Sequence, residues 1–308
     1  MSGATRILPT IRRARGFHLY DEHGRRYLDL YQNGGRAILS HRPPGLGARV
    51  KGTMAQGLWG DYPSLWMRRL EAALRALFPS YPQVRVYATA QRAVEAAGDA
   101  VSDPALGEQV DAGGAAWWRP FLRDGSGGAG AADPGTAGGA PAVDPGQPPA
   151  ILLPVLPFPA SFAPQPVCAR VEAALPDSDA VSPILLAGLC HAAGLVGAGL
   201  PEAAGCPGGA GIADRGGPRR RRRAGPPRSD ALVDPAELLD GLDQVLWRRR
   251  GRYLELRCEA EGFEDVVAAF LEAGVIINPR FPGPSILPPS CSRGEFEKFA
   301  KVSRMAGR

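Results

Sequence analysis

Residues 16–30 read GFHLYDEHGRRYLDL. His18 to Tyr20 is predicted to be a short strand, Asp21-Glu22-His23-Gly24 a turn, and Arg25 to Leu30 the returning strand. Gly24 supplies the positive φ that such a turn needs. Leu19, Tyr27, Asp29 and their neighbours alternate apolar and polar, as a half-buried ribbon does. The chain is therefore expected to open on a small sheet, and the later elements decide what that sheet packs against.

Downstream, Leu65 to Phe78 is predicted to be a helix. Trp66, Leu70, Leu74 and Leu77 fall near one face, Arg68, Arg69, Glu71 and Arg75 lie largely on the other, Ser64 stands at the N-cap and Pro79 ends it. A β run, Val84 to Tyr87, and a helical stretch, Arg92 to Ala100, follow. Residues 124–149 read DGSGGAGAADPGTAGGAPAVDPGQPP, with almost no large apolar side chain to offset ordering entropy, and are expected to be a disordered insertion. Ile151 to Leu156 reads as a buried strand weakened by Pro154, and Ser182-Pro183 opens an apolar helix to about Val196. Residues 199–229 form a second loose segment containing the run Arg219 to Arg223. The patterning then returns. Asp234, Pro235 and Glu237 resemble a capped helix start ahead of Leu238, Leu239 and Leu242. Tyr253 to Cys258 reads as a strand, Phe263 to Leu271 as a helix ended by Gly274, and Val275 to Asn278 as a strand. This alternation points to an α/β class.

Composition narrows the function classes. The 308 residues and 44% hydrophobic content suit a globular chain with a sizeable core. Only three of the 36 Lys and Arg residues are lysines, Lys51, Lys298 and Lys301. Arginine stays protonated and cannot replace lysine as an amine nucleophile. The five cysteines, Cys168, Cys190, Cys206, Cys258 and Cys291, have no CxxC spacing, which argues against a disulfide framework and a zinc site. The N-terminal residues lack an apolar signal core, and Ile184 to Leu200 is too short and mixed for a membrane span. A cytoplasmic protein without membrane association is expected.

Residues Gly16, Tyr20, Asp21, Gly24, Arg25, Tyr27, Leu28 and Asp29, then Leu39-Ser40-His41 and Pro44, resemble the opening of class III aminotransferases, within the fold type I pyridoxal-phosphate (PLP) enzymes. Near the other end, Pro288-Pro289 followed by a Ser-x-x-Glu helix start at Ser292 and Glu295 resembles that family's small-domain ending. The resemblance covers residues 12–99 and 250–305. It implies an α/β fold of the PLP-dependent transferase fold type I kind, with a reduced large domain and a small domain built from both chain ends. The implied division is residues 1–48 in the small domain, 49–230 in the large domain with insertions at about 124–149 and 199–229, and 231–308 in the small domain. A homodimer or paired subunit is implied too, with PLP as cofactor and a small-molecule amino donor as substrate.

The family's functional positions map residue by residue. The phosphate turn falls on Thr89, Ala90 and Gln91, ahead of Arg92. There the family uses backbone N–H groups and the helix dipole to hold the phosphate. The acid that holds the pyridine nitrogen protonated is sought at the end of a buried strand, and Ile151 to Leu156 carries no Asp or Glu. Asp177 and Asp179 lie downstream in what reads as a helix-start loop. The Schiff-base lysine is sought between Ala150 and Arg250, where no lysine occurs. The carboxylate-binding arginine, three positions before the proline pair, is Ser285, with Arg280 near it but not aligned. No catalytic residue is therefore assigned.

Three functions remain open on the sequence. One is transfer of an amino group to a 2-oxo acid or aldehyde. Another is a non-catalytic scaffold or partner subunit of the same fold. The third is binding of nucleic acid or an acidic partner through Arg219 to Arg223, against which stands the reading of that run as a solvated linker. His18, His23 and His41 lack metal spacing. Cys190 and His191 point about 100° apart on a helix, which favours packing over a nucleophile pair. Trp117-Trp118 is expected at the end of a core strand.

Overall fold

In the computed structural model, the hairpin does what its alternation requires, and a third strand widens it. The described residues are 7–98, 100–111, 113–122, 148–171, 173–198, 232–233 and 246–307. Their elements in chain order are β1 (Ile11–Arg15), β2 (His18–Asp21), β3 (Arg26–Asp29), α1 (Leu46–Ala55), α2 (Leu65–Leu77), β4 (Gln83–Tyr87), α3 (Ala90–Ala96), β5 (Val101–Ser102), β6 (Ala115–Trp118), β7 (Ile151–Pro154), β8 (Gln165–Ala169) and α4 (Pro183–Gly197). After these come β9 (Leu232–Val233), β10 (Trp247–Arg250), β11 (Tyr253–Leu256), α5 (Phe263–Glu272), β12 (Val275–Ile276), β13 (Ser285–Ile286), β14 (Cys291–Ser292) and α6 (Arg293–Ala306).

The β2–β3 turn is closed by Asp21, whose carboxylate accepts from Arg25 N at 2.8 Å and Tyr27 Oη at 3.0 Å, while Gly24 takes φ +86°. β1 pairs antiparallel on one side, and β12 joins β3 in parallel, giving the order β1-β2-β3-β12. Helices α5 and α6 supply the apolar faces that cover this sheet. Leu28, Val267, Val275, Phe296 and their neighbours form one core. Trp247, Phe270 and Phe299 lie at its centre, with ring centroids 5.6–5.8 Å apart. The expected Ser292/Glu295 start of α6 is a complete capping box.

A second core belongs to the middle of the chain. Trp66, Leu70 and Leu74 of α2 pack with Leu186, Leu189 and Ala193 of α4 against a five-stranded sheet of order β4-β8-β7-β6-β5. α4 is apolar nearly all round, as a helix wedged between α1, α2 and a sheet should be. β5, β6 and β7 are mutually parallel, and β8 runs antiparallel to both β7 and β4. The carboxyl ends of β4, β5, β6 and β7 and the start of β8 therefore share one edge.

Several expectations need correction. Ser64 is the N-cap residue of α2 by position, but its hydroxyl caps nothing and is buried without a partner. α3 starts two residues before the expected Arg92, because Thr89 Oγ1 accepts from Arg92 N and so caps the helix at Ala90. It stops at Ala96, ahead of Gly98 at φ +100°. β7 ends at Pro154, which has no N–H to continue the ladder. Trp118 is buried in β6, as expected of a core strand end. The capped helix expected from Asp234 and the Arg219 to Arg223 run lie outside the described residues, as do nearly all of the two loose segments. Among the described residues, no helix is long and apolar enough to cross a membrane.

Candidate functional site

In open sheets with parallel strands, ligands sit outside the carboxyl ends of the strands. At that edge Ser102 of β5 leads into Asp103, Trp118 of β6 into Arg119, and Pro154 of β7 into Val155. Gln165 begins β8 beside them. Asp103 accepts from Arg119 Nε at 2.9 and 3.1 Å, through both carboxylate oxygens, and both side chains are about nine-tenths buried. Asp103 is also the N-cap of a short turn, taking the Ala105 N–H at 3.1 Å. Burial works against the charge on Arg119, but the Asp103 carboxylate more than offsets it and leaves the guanidinium harder to deprotonate than usual.

The chain opening reaches over this edge. After β3, Gln32 and Asn33 take φ of 45° and 50°, which turns the chain sharply. Arg119 Nη1 donates to Gly34 O at 2.8 Å. Gly35, at φ +100°, lets the backbone come down on Arg119 and Val155, since a Cβ there would stand 3.4 Å from each. Arg36 Nη2 donates to Gln165 Oε1 at 3.0 Å, and Gln165 Nε2 donates to Pro154 O at 2.8 Å. Burial first, and the neighbouring Arg119 second, push Arg36 down to about 10. Gln32 is fully buried, and its Oε1 has no hydrogen-bond partner. The edge thus holds two guanidiniums against one buried carboxylate.

The sequence-derived positions are dispersed around this centre. Thr89, Ala90 and Gln91 start α3 at the end of β4. Their surroundings already contain an anion: Asp179 accepts from Ala88 N at 2.9 Å and lies 3.6 Å from Arg92 Nη2. Gln91 turns its amide to Glu95 at 3.3 Å. The Asp177 to Asp179 stretch lies along β4, with Asp179 N donating to Val86 O and Val86 N to Ser178 Oγ. Ser285 is buried and its hydroxyl accepts from Asn278 N at 3.0 Å, whereas Arg280 is exposed. Lys51 on α1 and Lys298 and Lys301 on α6 are all exposed, and none takes part in the edge contacts of Arg36, Asp103, Arg119 and Gln165.

Sequence reasoning missed Arg36, Asp103, Arg119 and Gln165. Ser102-Asp103-Pro104 carried a turn signal that would have found Asp103, and Arg119 directly follows a tryptophan pair read as a strand end. Three of the four histidines have structural partners. His18 Nε2 lies 2.9 Å from Glu295, His41 Nε2 lies 2.7 Å from buried Asp29, and His191 Nε2 lies 2.7 Å from Pro44 O. Cys190 is half-buried and its thiol is pushed up by that burial. Among the described residues, no group of His, Cys, Asp and Glu could hold a metal ion.

No family model matches the chain. Uncharacterized proteins of Borreliella burgdorferi and Treponema pallidum are 45% and 44% identical to it over 80 and 85 residues. These matches span 30% and 27% of the two relatives' lengths and 26% and 28% of this chain. Among solved structures, an omega-transaminase from Sphaerobacter thermophilus superposes with a TM-score of 0.56 at 15% identity, over 97% of this chain and 90% of that one. Ornithine delta-aminotransferase from Plasmodium falciparum gives 0.60 at 15%, over 97% and 94%. Acetylornithine aminotransferase from Elizabethkingia anophelis gives 0.57 at 12%, over 97% and 93%. The β2–β3 opening, the five-stranded sheet and the capped closing helix thus form one mixed α/β architecture, and the chain has the fold of the class III aminotransferases.

Proposed function

We propose that this chain is a non-catalytic subunit on the class III aminotransferase fold, which pairs with a second chain and does not carry out transamination by itself. The observation that carries the reading is the Arg119–Asp103 ion pair at the carboxyl edge of the sheet, in a chain whose three lysines are all exposed on α1 and α6. PLP supplies an electron sink when an amine holds it as an imine and an acid keeps its ring nitrogen protonated. The donor set here does not fit that group. The strand end offers a guanidinium bound to its own carboxylate, every lysine is on an exposed helix face, and Asp179 engages the donors beside Thr89. In this reading Thr89, Ala90 and Gln91 are an ordinary helix start.

Pairing is supported by the exposed apolar residues between α1 and the start of α2. Trp59, Tyr62 and Leu65 lie within seven positions of one another and are 62%, 60% and 57% exposed. Large apolar side chains concentrated in this way mark protein interaction sites. The domain division near residues 48 and 230 belongs to the same proposal. The reading is tested by adding PLP to the pure chain, recording any internal-aldimine absorbance and reducing with borohydride. It expects no covalent adduct, and a stoichiometric adduct removes it.

A further inference from the structure

A second concavity, of about 890 Å3, lies apart from the sheet edge, between α5, α6 and the β2–β3 turn. Its size is within the roughly 300–1,000 Å3 of small-molecule sites. Val266, Ala269 and Ala273 of α5 and Val302 and Ala306 of α6 line it with apolar surface, and Met305 stands beside them 66% exposed. Two of the chain's three lysines, Lys298 and Lys301, also line it, and neither has an ion-pair partner among the described residues. The other two cations there are engaged. Arg25 donates to the Leu271 and Glu272 carbonyls, and Arg26 pairs with Glu295 at 2.8 Å. Asp265 and Glu272 are the two acids of the lining.

We propose that this groove binds a single-chain aliphatic carboxylate, its head on Lys298 and Lys301 and its tail along the α5–α6 strip. The four basic side chains outnumber the two acids, which selects an anionic head. The free cations are ammoniums, and the planar guanidinium forks that favour bidentate phosphate recognition are already used. Asp265 and Glu272 oppose a head of higher charge. The half-buried Val266 and Ala269 and the exposed Met305 give an apolar tail a place to leave water.

The test is calorimetric titration of the full chain with dodecanoate below its micelle concentration. Dodecyltrimethylammonium keeps the tail with the opposite head, and acetate keeps the head without the tail. Two variants follow, Lys298→Glu with Lys301→Glu, and Ala269→Trp, each checked for a cooperative melt. All three positions are exposed or half-buried helix sites, so the fold should persist. Saturable one-to-one dodecanoate binding is expected, at least tenfold weaker in either variant and at least tenfold tighter than either comparator. Absence of dodecanoate binding, unchanged affinity in either variant, or equal affinity for the cationic amphiphile overturns the proposal.

Discussion

Arg119 and Asp103 lie at the ends of adjacent parallel strands, β6 and β5, and bind each other through Nε at 2.9 and 3.1 Å in a nearly water-free setting. Removing one partner strands the other charge in the interior. Arg119→Ala is expected to cost about 3–5 kcal/mol in urea unfolding, and Arg119→Leu with Asp103→Leu to recover most of that loss. A single variant within about 1 kcal/mol of the parent would contradict this account of the edge.

Glu295 ties the closing helix to the opening hairpin. Burial raises its pKa, but the His18 hydrogen bond and the Ser292 N–H outweigh this and bring it down to about 2. A depressed carboxylate contributes stability that is complete above its unfolded value, near 4.5, and is lost as pH falls toward 2. Glu295→Gln should flatten the stability profile across that window, measured by urea melts at a series of pH values. Ser292→Ala should cost about 1 kcal/mol at neutral pH through the lost cap.

Two glycines of α4 should respond in opposite ways to alanine. At Gly188 a Cβ would meet the buried Phe158 ring at 2.7 Å, so Gly188→Ala should destabilise by about 1–3 kcal/mol. At Gly194, exposed and with nothing within 4 Å, Gly194→Ala should stabilise by about 0.5–1 kcal/mol. Thermal unfolding of both variants checks the sign of each.

Pairing through residues 59–65 is expected to be lost when Trp59, Tyr62 and Leu65 are all replaced by serine. Light scattering after size-exclusion chromatography should show a dimer for the parent chain and a monomer for the variant. A monomeric parent without a partner in pull-down would remove the paired-subunit reading.

The parts legible in the sequence were those set by local rules. Gly24 and the alternation around it located the hairpin, Trp66, Leu70 and Leu74 located α2, and Ser292 with Glu295 located the start of α6. The sheet edge was not legible, because it is made by long-range pairing. Nothing near Ala115 announces that β6 will lie beside β7, and two-residue β5 has no periodicity at all. β7, the strand whose burial is plain in the sequence, carries no acid at its end, while the charges that matter follow β6 (Arg119) and β5 beyond it (Asp103). Ser64 shows the reverse case, a correct helix boundary whose side chain does not cap.

A class III aminotransferase fold that holds no cofactor on a lysine makes a definite prediction for borohydride reduction of the pure chain mixed with equimolar PLP, followed by intact mass measurement. The chain should keep its unmodified mass and show no internal-aldimine band. One cofactor fixed per chain, on any of Lys51, Lys298 or Lys301, would contradict it.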